Sequence, residues 1–189
     1  MRMRRWSIAV VLVCPALVGC GATQGHSAAP SHGAEALAFK GSPPQLAALH
    51  AQANKLLGGG VNAFRARMAS LNGYPVVVNK WASWCGPCQI EFPAFQKAAV
   101  KYGRKVAFIG IDGKDGNGSA SAFLKRFPVT YPSYTDPNES IARAYQASTY
   151  YPQTLFFTKA AHGKYVFDHA GPYESAATLE RDIQRYALK

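Results

Sequence analysis

The chain has 189 residues, 48% hydrophobic, 12% aromatic and 16% charged, with 21 Lys and Arg against 10 Asp and Glu and a formal charge of +11. That size and apolar content suit one domain with its own core, and they exclude a mostly disordered chain. No repeat of solenoid length is present, which excludes a repeat array. The basic residues are scattered rather than blocked, so they predict a solvated face, favourable beside anionic lipid headgroups, and no nucleic-acid partner.

Met1-Arg2-Met3-Arg4-Arg5 is a positively charged start, and residues 7–18 form an apolar stretch of signal-sequence length, too short to span a bilayer comfortably as a helix. It ends in Leu17-Val18-Gly19-Cys20, which resembles a bacterial lipobox. The resemblance implies a signal peptide over 1–19, cleavage before Cys20 and acylation of that cysteine. The alternative is a plain secretory signal in which Cys20 is incidental. Cleavage would remove Arg2, Arg4 and Arg5 and no acid. Residues 20–33, rich in Gly, Ala, Ser and His, then read as a flexible tether from membrane to domain. With Cys14 in the signal and Cys20 committed to lipid, only Cys85 and Cys88 remain, a Cys-x-x-Cys pair too small to be a disulfide framework.

Beyond the tether, Ser42-Pro43-Pro44 predicts a capped helix over 45–57, with Ser42 as N-cap, stopped by Gly58-Gly59-Gly60. A second helix is predicted over 62–71, so residues 34–73 read as a helical N-terminal extension. Residues 76–81 are a nearly continuous apolar run, as in a strand buried on both faces. A helix over 87–102 and a buried strand over 105–111 follow, then a Gly-rich loop, a short helix over 119–127 and an irregular stretch over 128–136 with two prolines. Residues 138–145 read as a helix, 154–158 as an apolar strand, 164–169 as an alternating edge strand and 175–188 as a closing helix. Alternating strands and helices predict an α/β sheet covered on both faces, with the main domain over 74–189.

Within that pattern, the run from Val76 to Trp84-Cys85-Gly86-Pro87-Cys88 resembles the active-site strand and helix of the thioredoxin superfamily. Gln89-Ile90-Glu91-Phe92-Pro93 resembles its membrane-tethered TlpA/ResA/DsbE group, and the similarity continues through Phe108-Ile109-Gly110-Ile111-Asp112, the stretch from Tyr131 to Asp136, and Tyr151-Pro152-Gln153-Thr154. It implies a thioredoxin-like fold, a central mixed β-sheet flanked by helices, with an inserted segment typical of that group. It also implies an extracytoplasmic thiol–disulfide oxidoreductase, lipid-anchored at the cell membrane, that reduces disulfides in exported proteins such as apocytochrome c. Its electrons would pass through a membrane partner, and no cofactor is implied. The oxidising direction is the alternative. A peroxidase of the peroxiredoxin type is a weaker one, because Ala82 stands where a Thr-x-x-Cys setting needs threonine.

Cys85 at a helix N-terminus is the expected nucleophile, since unpaired N–H groups and the macrodipole favour its thiolate. Cys88, inside the first turn, is the expected resolving thiol. Trp84 flanks the pair, Gly86-Pro87 separates its cysteines, and Tyr151-Pro152 resembles the superfamily's cis-proline, whose backbone meets an extended substrate; these five are the expected substrate-binding residues. Glu91 occupies the position of an acid found near the disulfide in this group; partial burial would raise its pKa toward the range of proton transfer. Asn79 stands where thioredoxins carry a buried Asp, and Lys80 stands where an aromatic or aliphatic residue is common. A zinc site would need further Cys or His ligands, and His26, His32, His50, His162 and His169 make no spaced pair, so no metal is expected. A peptide-binding lipoprotein without redox activity is the non-enzymatic alternative.

Overall fold

The computed structural model describes residues 35, 37–147, 149–160 and 163–189. The expected signal peptide, Cys20 and the tether lie outside the described residues. After a short first helix α1 (Pro44–His50), the chain forms β1 (Leu56–Leu57), α2 (Gly60–Ser70), β2 (Val76–Trp81), α3 (Gly86–Tyr102) and β3 (Ala107–Gly113). Then come α4 (Asn117–Arg126), β4 (Ser133–Asp136), α5 (Ser140–Ala144), β5 (Gln153–Phe157), β6 (Phe167–Ala170) and α6 (Ala176–Asp182), which runs into a π-helical turn at Ile183–Ala187.

Among the described residues the strands make one six-stranded sheet in the order β1-β4-β3-β2-β5-β6. The first four are parallel to one another, β5 runs antiparallel to β2 and β6 antiparallel to β5, so the sheet is mixed. Every residue of β2 is buried, Asn79 and Lys80 included, as a nearly continuous apolar run requires at the centre of a two-sided sheet. Alternation sends Val77 and Trp81 into a core with Phe92, Phe95 and Phe156 beneath α3 and α6. Val76 and Val78 enter a second core with Leu46, Phe64, Met68, Ile109 and Phe157 beneath α1 and α2.

Three expectations need correction. The helix predicted over 45–57 stops at His50, and Leu56–Leu57 is instead an edge strand paired with Ser133 and Tyr134. The cause is Asn54, whose left-handed backbone (φ 62) turns the chain while its side chain bonds Leu124 O and Val129 N. The extension over 34–73 is thus not purely helical. Ser42 is not the N-cap: its hydroxyl donates to Phe39 O, and Pro43 takes that place. The stretch 128–136, read as irregular, contains β4, whose four residues begin directly after Pro132 between β1 and β3.

Candidate active site

At the C-terminal end of β2 the chain passes through residues 82–85 into α3, whose N-cap is Cys85. Pro87 lies in the first turn, where its missing N–H costs no helical bond. Cys85 and Cys88 are joined as a disulfide. The Cys85 sulfur also accepts the Cys88 N–H at 3.1 Å, so an unpaired amide of the first turn points at the atom that would carry negative charge on reduction. Cys85 is 3% exposed and Cys88 0%, and the sulfur nearer the helix mouth is the one a partner can reach.

Behind the disulfide, on the α3 face of the sheet, lies a polar group inside the core. Glu91, one turn beyond Cys88 on the buried side of α3, is 0% exposed. Its Oε2 accepts only a long bond from Tyr173 N (3.4 Å), and its Oε1 has no partner among the described residues. Burial drives the carboxyl up to about 8, against the milder opposing pull of the Tyr173 amide and the Asn79 side chain. The Tyr131 hydroxyl, pushed up by burial and by Glu91, and the Asn79 amide are likewise without a well-formed hydrogen bond.

On the other face the arrangement is charged and paired. Lys80, 0% exposed, donates to Ala147 O at 2.6 Å, pairs with Glu139 at 3.2 Å and lies 3.8 Å from the centre of the Tyr151 ring. Glu139 also pairs with Lys114 at 2.9 Å and accepts the Tyr151 hydroxyl at 2.8 Å. Burial alone would raise the Glu139 carboxyl, but Lys114, Tyr151 and Lys80 together hold it below the usual carboxylate range. Burial lowers the Lys80 ammonium, and Glu139 partly restores it.

The Tyr151-Pro152 peptide is cis, as expected from the resemblance. Tyr151 packs on Trp84 with ring centres 4.8 Å apart, and Trp84, 55% exposed, donates its indole N–H to Lys114 O at 2.9 Å. A Cβ on Gly113 would collide with the Tyr151 hydroxyl, so the bare glycine makes room for it. Nearby, Asp115 accepts the Ser83 N–H at 2.6 Å, while burial and the Asp115 charge push Asp112 up to about 8.

The fold therefore gathers Trp84, Cys85, Gly86, Pro87 and Cys88 on one turn, sets Tyr151-Pro152 against it through Trp84, and places Glu91 behind it. Sequence reasoning missed Glu139, Lys114, Asp112 and Asp115. Its one available signal was Lys80, a cation in a mostly apolar strand, which demands a buried anion somewhere. Among the described residues no three His, Cys, Asp or Glu side chains are set to hold a metal. His50 lies against Thr130 O and Gly103 O, and His169 stacks on Tyr173.

A mixed sheet with a Cys-Gly-Pro-Cys disulfide at the N-terminus of α3, and a cis-proline whose preceding tyrosine packs on the neighbouring Trp84, defines a protein of the thioredoxin-like class. Residues 49–168 match the AhpC/TSA family, and the chain belongs to it. A structure of a putative thiol:disulfide interchange protein DsbE from Chlorobium tepidum superposes with a TM-score of 0.56 at 26% identity, over 62% of this chain and 83% of that one. The thiol:disulfide interchange protein DsbE of Pseudomonas fluorescens biotype C is 41% identical over 63 residues, 33% of this chain and 34% of its own. The thiol-disulfide oxidoreductase ResA of Oceanobacillus iheyensis is 27% identical over 99 residues, 51% of this chain and 50% of its own. The chain thus spans half or less of the length of these two relatives.

Proposed function

We propose that the protein is a thiol–disulfide oxidoreductase, anchored by lipid on Cys20 at the extracytoplasmic face of the cell membrane, that reduces disulfides in exported proteins, apocytochrome c among them. The observation that carries the reading is the Cys85–Cys88 disulfide at the N-terminus of α3, with Trp84 beside it packed on the tyrosine of the cis Tyr151-Pro152 peptide. In the reduced protein the Cys85 thiolate attacks a substrate disulfide, forming a mixed disulfide and releasing one substrate thiolate. Cys88 then gives up its proton and attacks the Cys85 sulfur, releasing the second substrate thiolate and closing the Cys85–Cys88 bond. Two electrons pass to the substrate, and a membrane dithiol partner must return them by the reverse exchange. Glu91, whose carboxyl near 8 is mostly protonated at pH 7 and about half ionised at pH 8, takes the Cys88 proton at that step through its ionised form.

The reduction potential of Cys85–Cys88, set in redox buffers, tests the direction. A value at or below about −250 mV supports a reductase, and one at or above about −180 mV overturns that direction in favour of an oxidase. Membership of the AhpC/TSA family favours a second reading, hydroperoxide reduction, which Ala82 weakens. Peroxide turnover by the reduced protein that outpaces its turnover of a protein disulfide would establish it. Release of the full chain from membranes by a Cys20→Ser substitution tests the anchor.

A further inference from the structure

Resting on the oxidoreductase reading, we propose that Lys80 is a positioning residue for substrate recognition: from the far side of the sheet it fixes the Tyr151–Trp84 wall beside the disulfide. The wall cannot hold itself. Trp84 is mostly exposed, so burial does not fix it; its placement depends on its indole bond to Lys114 O and its packing on Tyr151. Tyr151 in turn is held by its hydroxyl on Glu139 and by the Lys80 ammonium against its ring face. Glu139 is bound by Lys80 on one oxygen and by Lys114 on the other, and Lys114 closes the circuit to Trp84 through its own carbonyl. Each member therefore touches at least two others, and Lys80 is the one member wholly out of water.

That placement is expensive unless it serves a purpose. An apolar residue of similar volume at a buried ion-pair position is commonly as stable or more so. Val76 and Val78, on the same face of β2, show that the strand takes apolar side chains there. What a methionine could not supply is a fixed charge under the Tyr151 ring and a second cation for Glu139. The ammonium and the disulfide lie on opposite sides of the sheet, so Lys80 acts on the shape of the wall and not on the sulfur chemistry.

The test is K80M in the full chain, with three readouts. Turnover of a disulfide-linked peptide with dithiothreitol as electron donor is expected to show KM raised about tenfold with kcat little changed. Reduction of Cys85–Cys88 by dithiothreitol alone is expected to stay within about twofold of wild type, because that small thiol needs no wall. Acrylamide quenching of Trp84 in the oxidised protein, taken as the difference from W84F, is expected to increase. An unchanged KM and unchanged quenching overturn the proposal. So does a parallel loss of the peptide and dithiothreitol reactions, which would mean that Lys80 acts on the disulfide or on the fold as a whole. If K80M does not fold, K114M, altered at an exposed ammonium, carries the same test: a KM raised about two- to threefold with greater quenching supports the circuit, and no change overturns it. If the wild-type protein reduces no peptide, the oxidoreductase reading fails, and Trp84 quenching in K80M alone decides whether Lys80 holds the wall.

Discussion

Asn79 and Lys80 are consecutive in the central strand and both are buried, yet they serve opposite sides of the sheet under opposite electrostatic rules. Asn79 faces a pocket with Glu91 and Tyr131 in which hydrogen-bonding capacity is left unspent and the carboxyl is neutral at pH 7. Lys80 faces a network in which every charge is matched. The difference teaches what each side is for. A group that must accept or release a proton profits from poor solvation and few partners, because its two protonation states then lie close in energy at working pH. A group that must hold geometry profits from saturation, because each additional bond removes a way to move.

Substitutions can break this contrast. Cys85→Ser, where the two sides meet, is expected to lower kcat/KM for a peptide disulfide by about 10³-fold or more, while Trp84 quenching stays unchanged because the paired network does not include the sulfur. Glu139→Ala strikes the matched side. It leaves the Lys80 ammonium buried without its anion and is expected to cost on the order of 3 kcal/mol in urea unfolding at pH 7. Glu91→Gln strikes the unmatched side with the opposite sign, raising Tm at pH 8 by about 3 °C. The sign follows from proton counts: between the ordinary carboxyl value of 4.5 and about 8 the folded protein holds a proton that the unfolded chain has released. Stability therefore falls as pH rises through that window, and Glu91→Gln flattens the slope. The same variant is expected to prolong the mixed disulfide about tenfold in a quenched-flow trap, since Cys88 loses its acceptor. Asp112→Asn acts in the same direction for the same reason and is the smallest effect, about 1–2 °C in Tm at pH 8.

The motif-bearing part of the site was legible in the sequence because its constraints are local. Cys85, Pro87 and Cys88 fall within one helical turn, β2 announces itself by a nearly continuous apolar run, and Glu91 follows Cys88 at helical spacing. The segment from residue 128 to 136 was not legible, since a four-residue strand between β1 and β3 is defined by what it pairs with. The edge strand Leu56–Leu57 was hidden for a related reason: leucine suits a helix as well as a strand, and the left-handed Asn54 that ends the helical path has no fixed signature. The partners of Lys80 could not be read either. Glu139 is far along the chain and reaches Lys80 only through the turn that opens α5, so the lysine signalled that an anion existed without saying where.

The missing side chain at Gly113 has a consequence for how such a protein can change over generations. The space that a Cβ would need is taken by the Tyr151 hydroxyl, the same hydroxyl that reaches Glu139. Alanine at 113 requires the Tyr151 side chain to move away, and loss of the hydroxyl alone leaves the ring carbons 3.1–3.2 Å from the new Cβ. Tyrosine at 151, placed as it is here, equally needs glycine at 113. The two positions, one ending β3 and the other preceding β5, are therefore sterically coupled, and a larger residue at 113 is expected to go with a smaller or displaced side chain at 151.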